Sequence, residues 1–384
     1  MRTPQPVREE KRERALLVGF ATSSQDRWRE MDSLEELEQL AHTAGAEVFE
    51  KILQIREKPD PSYLLGRGKV QEIRKIVETF GLDLVIVNRE LSPSQHRNLE
   101  EAIGVKIIDR TELILDIFAQ HARTAEAKIQ VELAQLEYRL SKLVGKGTEL
   151  SRLGGGIGTR GPGEKKLEID RRRIEDRIAL LRRKLREIER TRALQRKRRQ
   201  SLFKVSLVGY TNTGKSTLMN QLTRAGVLVE DQLFATLDAV TRVLYHPDRR
   251  VRIVLSDTVG FIENLPHHLV ASFRATLGVV QEADLLAHVV DVSHPRLEER
   301  MAVVEEVLKE IGVAHKPRIV VFNKMDLLLE TNLVERLRER YPESVFVSAL
   351  TGEGLDTLLR RIYHHAEQYF SRLHRSPQAR EVSP

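Results

Sequence analysis

Residues 209–217 read Gly-Tyr-Thr-Asn-Thr-Gly-Lys-Ser-Thr, and the stretch 202–208 ahead of them is apolar and prone to extended structure. This is the pattern G-x-x-x-x-G-K-[ST] in its working context, a strand feeding a glycine-rich loop that opens a helix. Such a loop is a phosphate cradle. Backbone N–H groups of Gly209, Tyr210, Thr211, Asn212, Thr213, Gly214 and Thr217 converge on the phosphates, and the two glycines permit close approach. Lys215 reaches the β/γ oxygens, and the Ser216 hydroxyl is a ligand for Mg²⁺. The unit that follows is therefore expected to be α/β, a doubly wound and mostly parallel sheet.

Three further motifs follow in order. Asn323-Lys324-Met325-Asp326 comes after the apolar stretch 318–322. A carboxylate at Asp326 accepts from both guanine N1–H and the 2-amino group, a donor pair that adenine lacks, so the pattern selects guanine. Asn323 is expected to bridge loops and touch N7, while the stem of Lys324 covers one face of the base. Ser348-Ala349-Leu350 ends the stretch 345–347, where the Ala349 N–H suits guanine O6. Asp257-Thr258-Val259-Gly260 ends the stretch 251–255, with Asp257 holding Mg²⁺ through water and the Gly260 N–H facing the γ-phosphate. For the first switch, Thr236 lies 21 positions after Lys215 and is expected to close over Mg²⁺, with Thr241 as its rival.

The segment 154–164, Gly-Gly-Gly-Ile-Gly-Thr-Arg-Gly-Pro-Gly-Glu, and the GYTN-x-GKST form of the phosphate loop together resemble the HflX family of ribosome-associated P-loop GTPases. The resemblance covers nearly the whole chain. It implies GTP and GDP binding, GTP hydrolysis with Mg²⁺, association with the large ribosomal subunit through its RNA, and the splitting or rescue of stalled ribosomes. It also implies an apolar residue after the DxxG glycine, and here that residue is Phe261. Many GTPases use a Gln at this point to orient the attacking water. A phenyl ring cannot do so, and slow turnover that responds to the ribosome is expected, with docking moving Phe261 aside. Asn212 stands where some GTPases resembling this chain use an Asn to help coordinate K⁺; the other reading is an Asn that satisfies loop backbone.

Charge is concentrated in one segment. Residues 165–200 hold 16 Lys/Arg against 6 Asp/Glu, a net of +10 in a 384-residue chain whose total is +7. Ile174, Ile178, Leu181, Leu185 and Ile188 step by four and three, as do Ile129, Leu133, Leu136, Leu140 and Leu143, the seam of a paired coiled coil. With glycine-rich residues 145–163 between the runs, an antiparallel helical hairpin over 119–200 with a basic tip is expected. Lys142, Lys146, Arg152, Gly154, Gly155, Gly156, Arg160, Gly161, Lys165 and Lys166 are its candidate RNA contacts, through salt-sensitive phosphate binding and close backbone approach. The glycines are not a dinucleotide fingerprint, because no strand precedes them.

Ahead of the hairpin, residues 15–118 alternate strand-like pieces (15–19, 46–54, 84–88, 105–109) with helix-like ones (33–43, 69–80, 94–103), a small α/β unit with a largely parallel sheet. Its loop Leu65-Gly66-Arg67-Gly68-Lys69 reads as a tight turn or as an anion site, with the turn favoured. Residues 1–14 read as a flexible basic start, 201–369 as the GTPase unit and 370–384 as a polar tail. Trp28 reads as a packing residue, and His267 and His268 lack the spaced partners of a metal site. The chain contains no Cys, which excludes disulfides and thiolate zinc sites. Without an apolar run of about 20 residues, no membrane span is expected. A cytoplasmic protein follows, with room for a ribosome- or membrane-associated fraction. Two other classes stay open: an assembly or RNA-modification GTPase acting on precursor RNA, and an RNA-binding scaffold whose nucleotide is structural.

Overall fold

Alternating strand-like and helix-like pieces need a sheet with helices on its faces to bury both. The computed structural model describes residues 12–153, 162–196, 202–223, 233–234, 239–246, 251–263, 278–328 and 331–375, and Thr236, His267 and His268 lie outside them. The chain divides into two units, one built from residues up to 120 with 132–180, the other from 121–131 with 181 onward.

In the first unit, β1 (Arg14–Ala21), β2 (Glu47–Ile55), β3 (Leu84–Val87) and β4 (Lys106–Asp109) form one sheet in the order β2-β1-β3-β4, and every neighbouring pair is parallel. The inner strands β1 and β3 are buried almost throughout, as strands covered on both faces must be. Helices α1 (Arg27–Thr43), α2 (Arg67–Phe80) and α3 (Pro93–Ile103) make the crossovers. Left-handed glycines end two of them, Gly81 after α2 and Gly104 after α3, with φ of 61° and 87°. Helix α3 opens with a reciprocal cap between Ser92 and Gln95.

Two expectations for this unit resolve differently. The Gly66 N–H donates to the Gln54 side chain (2.8 Å) and the Lys69 ammonium sits on Glu72 (2.7 Å), partners within the protein that favour the turn. Trp28 is a correction: it is 52% exposed with the Arg29 guanidinium against its ring, because α1 turns that position to solvent.

Helix α4 (Arg110–His121) is followed by α5 (Ala125–Leu153) and α6 (Pro162–Arg196). Leu133, Ile178 and Leu181 are buried, and Arg177 of α6 pairs with Glu132 of α5 at 2.7 Å, as an antiparallel hairpin requires. The tip is shorter than the sequence suggested. Helix α5 runs through Gly145 and Gly147 to Leu153, because isolated glycines among Lys, Glu and Leu cost a helix only about 1 kcal/mol each. Lys146 and Arg152 therefore lie on α5, Lys165 and Lys166 on α6, and Gly154, Gly155, Gly156, Arg160 and Gly161 fall outside the described residues.

Lys142 is a second correction. Rather than reaching for RNA, its ammonium turns inward to the Leu91 carbonyl and, at 3.0 Å, to the fully buried Asp109 carboxylate. Asp109 also accepts the Tyr138 hydroxyl and the Leu91 N–H. Tyr138 and Lys142 are one turn apart on α5, so they present together to the end of β4. Burial, with Asp109 beside it, pushes the Tyr138 phenol up and keeps it a neutral donor. Replacing Tyr138 with Phe should cost about 1–3 kcal/mol in urea unfolding, and Asp109→Ala, which strands the Lys142 charge, about 3–5 kcal/mol.

The second unit is a six-stranded sheet, order β10-β9-β8-β5-β7-β6, from β5 (Phe203–Gly209), β6 (Val240–Leu244), β7 (Ile253–Asp257), β8 (Leu285–Asp291), β9 (Arg318–Asn323) and β10 (Val345–Phe346). All pairs are parallel except β6 with β7. Helices α7 (Lys215–Thr223), α8 (Gly278–Glu282), α9 (Leu297–Glu310), α10 (Thr331–Arg340) and α11 (Leu355–Arg375) belong to it. Val205, Leu207, Val289 and Val321 pack with Leu218 of α7 and Leu358, Ile362 and Ala366 of α11 in one core. This is the expected doubly wound α/β architecture, with α11 continuing past residue 369.

Candidate nucleotide site

The register of the second sheet brings the motifs together. Leu207 stands opposite Asp257, Gly209 opposite Val289, Asp291 opposite Asn323 and Phe322 opposite Phe346. The loops leaving β5, β7, β9 and β10 therefore emerge at the carboxyl edge, where open parallel sheets bind ligands.

The phosphate loop is tightly fitted. A Cβ on Gly209 would stand 2.2 Å from the Val289 carbonyl oxygen, and one on Gly214, whose φ is 85°, would meet the Asn323 amide nitrogen at 2.4 Å. Thr213 donates its hydroxyl to the Tyr210 carbonyl at 3.0 Å. Lys215 opens α7, and its ammonium donates to the carbonyls of Tyr210 (2.7 Å) and Gly209 (3.2 Å). Burial pushes this lysine down to about 8, with Asp257 opposing the shift and Lys324 adding to it. Beneath the loop, burial lowers His288 on β8 to about 4, so it is neutral at physiological pH.

Asn323 holds the base side to the phosphate side. Its amide nitrogen donates to the Thr213 carbonyl at 2.8 Å, and its oxygen accepts the Ala349 N–H at 2.9 Å. The bridging role read from the sequence is in place, but the Ala349 N–H is already engaged, so guanine O6 must share that donor with Asn323. Ser348 donates its hydroxyl to Asp326 and so aims that carboxylate. Lys324 adopts a left-handed conformation (φ 67°), and its ammonium sits 2.7 Å from Asp291. Neither partnership was visible in the sequence, although Asp291 does end a seven-residue apolar strand. The Leu350 side chain is 73% exposed.

At the metal side, the Ser216 hydroxyl donates to Asp257 at 2.6 Å. Among the described residues no group of three or more His, Cys, Asp or Glu gathers. One hydroxyl beside one buried carboxylate suits Mg²⁺, which keeps waters and phosphate oxygens in its shell. Thr241 is bound to Ser256 (2.9 Å) in the β6–β7 ladder, which removes it as a rival to Thr236. Thr258 donates to the Leu207 carbonyl at 2.7 Å, and Val259 is buried. Asn212 is exposed with φ of 57°, a conformation that Asn tolerates well.

Phe261 is where the structure departs most from expectation. Its side chain is 1% exposed, its N–H donates to the Gly209 carbonyl (3.1 Å), and its carbonyl accepts the Thr211 N–H (2.7 Å). It is thus a buried strut of the loop, not a group beside the attacking water, because a ring that size gains more from burial than from a wet site.

Lys215 gives a pH dependence with a definite sign. Phosphate raises the lysine back toward its ordinary value, so nucleotide binding takes up a proton once the free protein has lost it. Above about pH 8 the apparent affinity for a fluorescent GDP should therefore weaken, by up to about tenfold per pH unit, and below that it should be flat.

Comparison with known proteins agrees with this geometry. Residues 31–119 match the family "GTP-binding GTPase N-terminal", 121–199 "GTP-binding GTPase Middle Region" and 204–324 "50S ribosome-binding GTPase". A "GTPase HflX" of Caldanaerobacter subterraneus subsp. tengcongensis is 51% identical over 353 residues, covering 91% of this chain and 80% of that one. The "GTPase HflX" of Escherichia coli is 45% identical over 354 residues, covering 91% and 82%. Among solved structures, the complex of SsGBP with GDP superposes with a TM-score of 0.51 at 27% identity, covering 93% of this chain and 99% of that one. The chain belongs to the HflX family of GTPases, and it binds and hydrolyses GTP.

Proposed function

We propose that this GTPase acts on ribosomes, docking on the large subunit in its GTP state, splitting or rescuing stalled particles, and leaving after hydrolysis. The observation that carries the reading is a GTP site matching the description "50S ribosome-binding GTPase" in the same chain as a long helical hairpin with a strongly basic second arm. Arg and Lys on such an arm supply salt-sensitive affinity for ribosomal RNA. Lys146, Arg152, Gly154, Gly155, Gly156, Arg160, Gly161, Lys165 and Lys166 remain the candidate contacts around the tip, and Lys142 is withdrawn. A cytoplasmic location, partly on ribosomes, goes with this reading.

Hydrolysis is mainly charge stabilisation. Loop amides and Lys215 bind the phosphates, Asn323 and Asp326 fix the base, and the Gly260 N–H would meet the γ-phosphate once the second switch engages it. Ser216 and Asp257 would hold Mg²⁺, with Thr236 joining from the first switch, and the ion would neutralise charge on the phosphate oxygens. The Phe261 ring after the DxxG glycine is buried and has no polar atom with which to orient water, and this supports slow resting turnover that the ribosome raises. GTP turnover by the purified protein should rise at least tenfold with isolated large subunits and vanish in Lys215→Ala. Turnover indifferent to the subunit would move the partner toward precursor RNA.

The exposed, left-handed Asn212 also supports a K⁺ ion beside the transferring phosphoryl, where it would offset developing charge. Turnover in KCl should exceed that in NaCl several-fold, and Asn212→Ala should abolish the difference. Equal rates in the two salts would remove this role.

A further inference from the structure

The start of the second switch is fastened to the phosphate loop at more points than GTP hydrolysis requires. Besides the Phe261 bridge, the Glu263 N–H donates to the Tyr210 hydroxyl at 2.8 Å. The Glu263 carboxylate pairs with Arg296 at 3.1 Å, just ahead of α9, and Arg296 is 8% exposed and also held by Glu299 at 2.7 Å. The Arg300 guanidinium lies 4.5 Å from the centre of the Tyr210 ring. Tyr210 thus faces away from the phosphate cradle and joins the loop, the switch and α9.

This fastening has a cost for the γ-phosphate. A Cβ on Gly260 would lie 2.6 Å from the Thr211 Cα and 3.1 Å from the Lys215 ammonium nitrogen. Lys215 meanwhile donates to the same loop carbonyl, Gly209, that accepts the Phe261 N–H. Lys215 and the Gly260 N–H grip a γ-phosphate together only if an oxygen-bearing group fits between them. In the fastened register the space beside the Gly260 Cα is already taken by the Thr211 backbone and the Lys215 ammonium, so residues 260–263 must move off the loop to admit an oxygen-bearing group there.

Resting on the GTPase reading above, we propose that Tyr210, Glu263 and Arg296 are positioning residues that form a clasp. The clasp holds the second switch flat on the phosphate loop and sets the low resting rate by opposing engagement of the γ-phosphate. GDP, which has no γ-phosphate, is indifferent to it. A docked partner that opens the switch removes its effect.

Tyr210→Phe deletes only the hydroxyl that meets Glu263, and Glu263→Gln weakens the Arg296 pair while keeping its shape. Each should raise subunit-free, single-turnover GTP hydrolysis by about 2- to 10-fold, the value of one such bond. Each should tighten binding of a non-hydrolysable GTP analogue by a similar factor. GDP affinity and the rate with saturating large subunits should stay within about twofold of the wild type. Arg296→Lys, which keeps the charge, should fall between wild type and Arg296→Gln.

A resting rate that is unchanged or lowered in both variants, or GDP affinity that moves in step with GTP affinity, would overturn the clasp. The ratio of GTP-analogue to GDP affinity reads the clasp without turnover. If the wild type proves inert to ribosomes, the functional reading fails while the clasp is still decided.

Discussion

The Asn323 carboxamide is the interaction on which the nucleotide site depends. It is one of few side chains that donate and accept at once, and it uses both capacities between loops that leave different strands, giving to Thr213 and taking from Ala349. An ionised Asp has no donor for the first bond, and an apolar residue leaves two buried backbone groups without a partner. Because Asn323 ends β9 between the loops after β5 and β10, it fixes the spacing of the candidate base loop and the candidate phosphate loop. The tight approach of Gly214 to the same amide shows why a glycine is required there: any side chain would displace the bridge.

Around that bridge, charges are held by second partners that keep them aimed. Ser348 fixes Asp326, Asp291 holds Lys324, and Asp257 accepts from Ser216. A carboxylate or ammonium held in place before its ligand arrives loses less entropy on binding. Lys215 is held as well, by the Tyr210 and Gly209 carbonyls, but burial opposes its charge and makes an arriving phosphate the group that best stabilises it. The first unit follows the same rule for structural ends: Asp109 at the end of β4 gathers Tyr138 and Lys142 from one face of α5 and so ties that helix to the sheet it follows.

Much of this was legible in the sequence because phosphate and guanine are recognised by short, contiguous patterns. The loop 209–217, Asn323 to Asp326 and Ser348 to Leu350 each carry their chemistry locally, and parallel strands before them place all three at one edge. The heptad spacing pointed to the hairpin, and the pattern over 15–118 to four strands and three helices, while α4 (Arg110–His121) went unread. Less legible was anything set by what a residue faces. Lys142 looked like one more cation near a basic tip, yet its one-turn spacing from Tyr138 was a sign of an inward pair. Helix α5 outran its glycines because neighbouring good helix formers outweighed them.

Phe261 shows the boundary most clearly. Sequence could say that its ring does not orient water, since that follows from its atoms alone. It could not say that the ring is buried while its backbone braces the phosphate loop, because that depends on how the end of β7 meets the loop after β5. The sequence by itself determined that the chain is a GTPase and which groups are the candidates to hold the nucleotide, since those groups act through fixed chemistry at fixed spacing. Only the tertiary structure decided which of them are already joined to one another, whether Asn323 to Ala349, Tyr210 to Glu263 or Lys142 to Asp109. These pairs lie 26, 53 and 33 residues apart, and tertiary packing, not local pattern, brings them within hydrogen-bond reach.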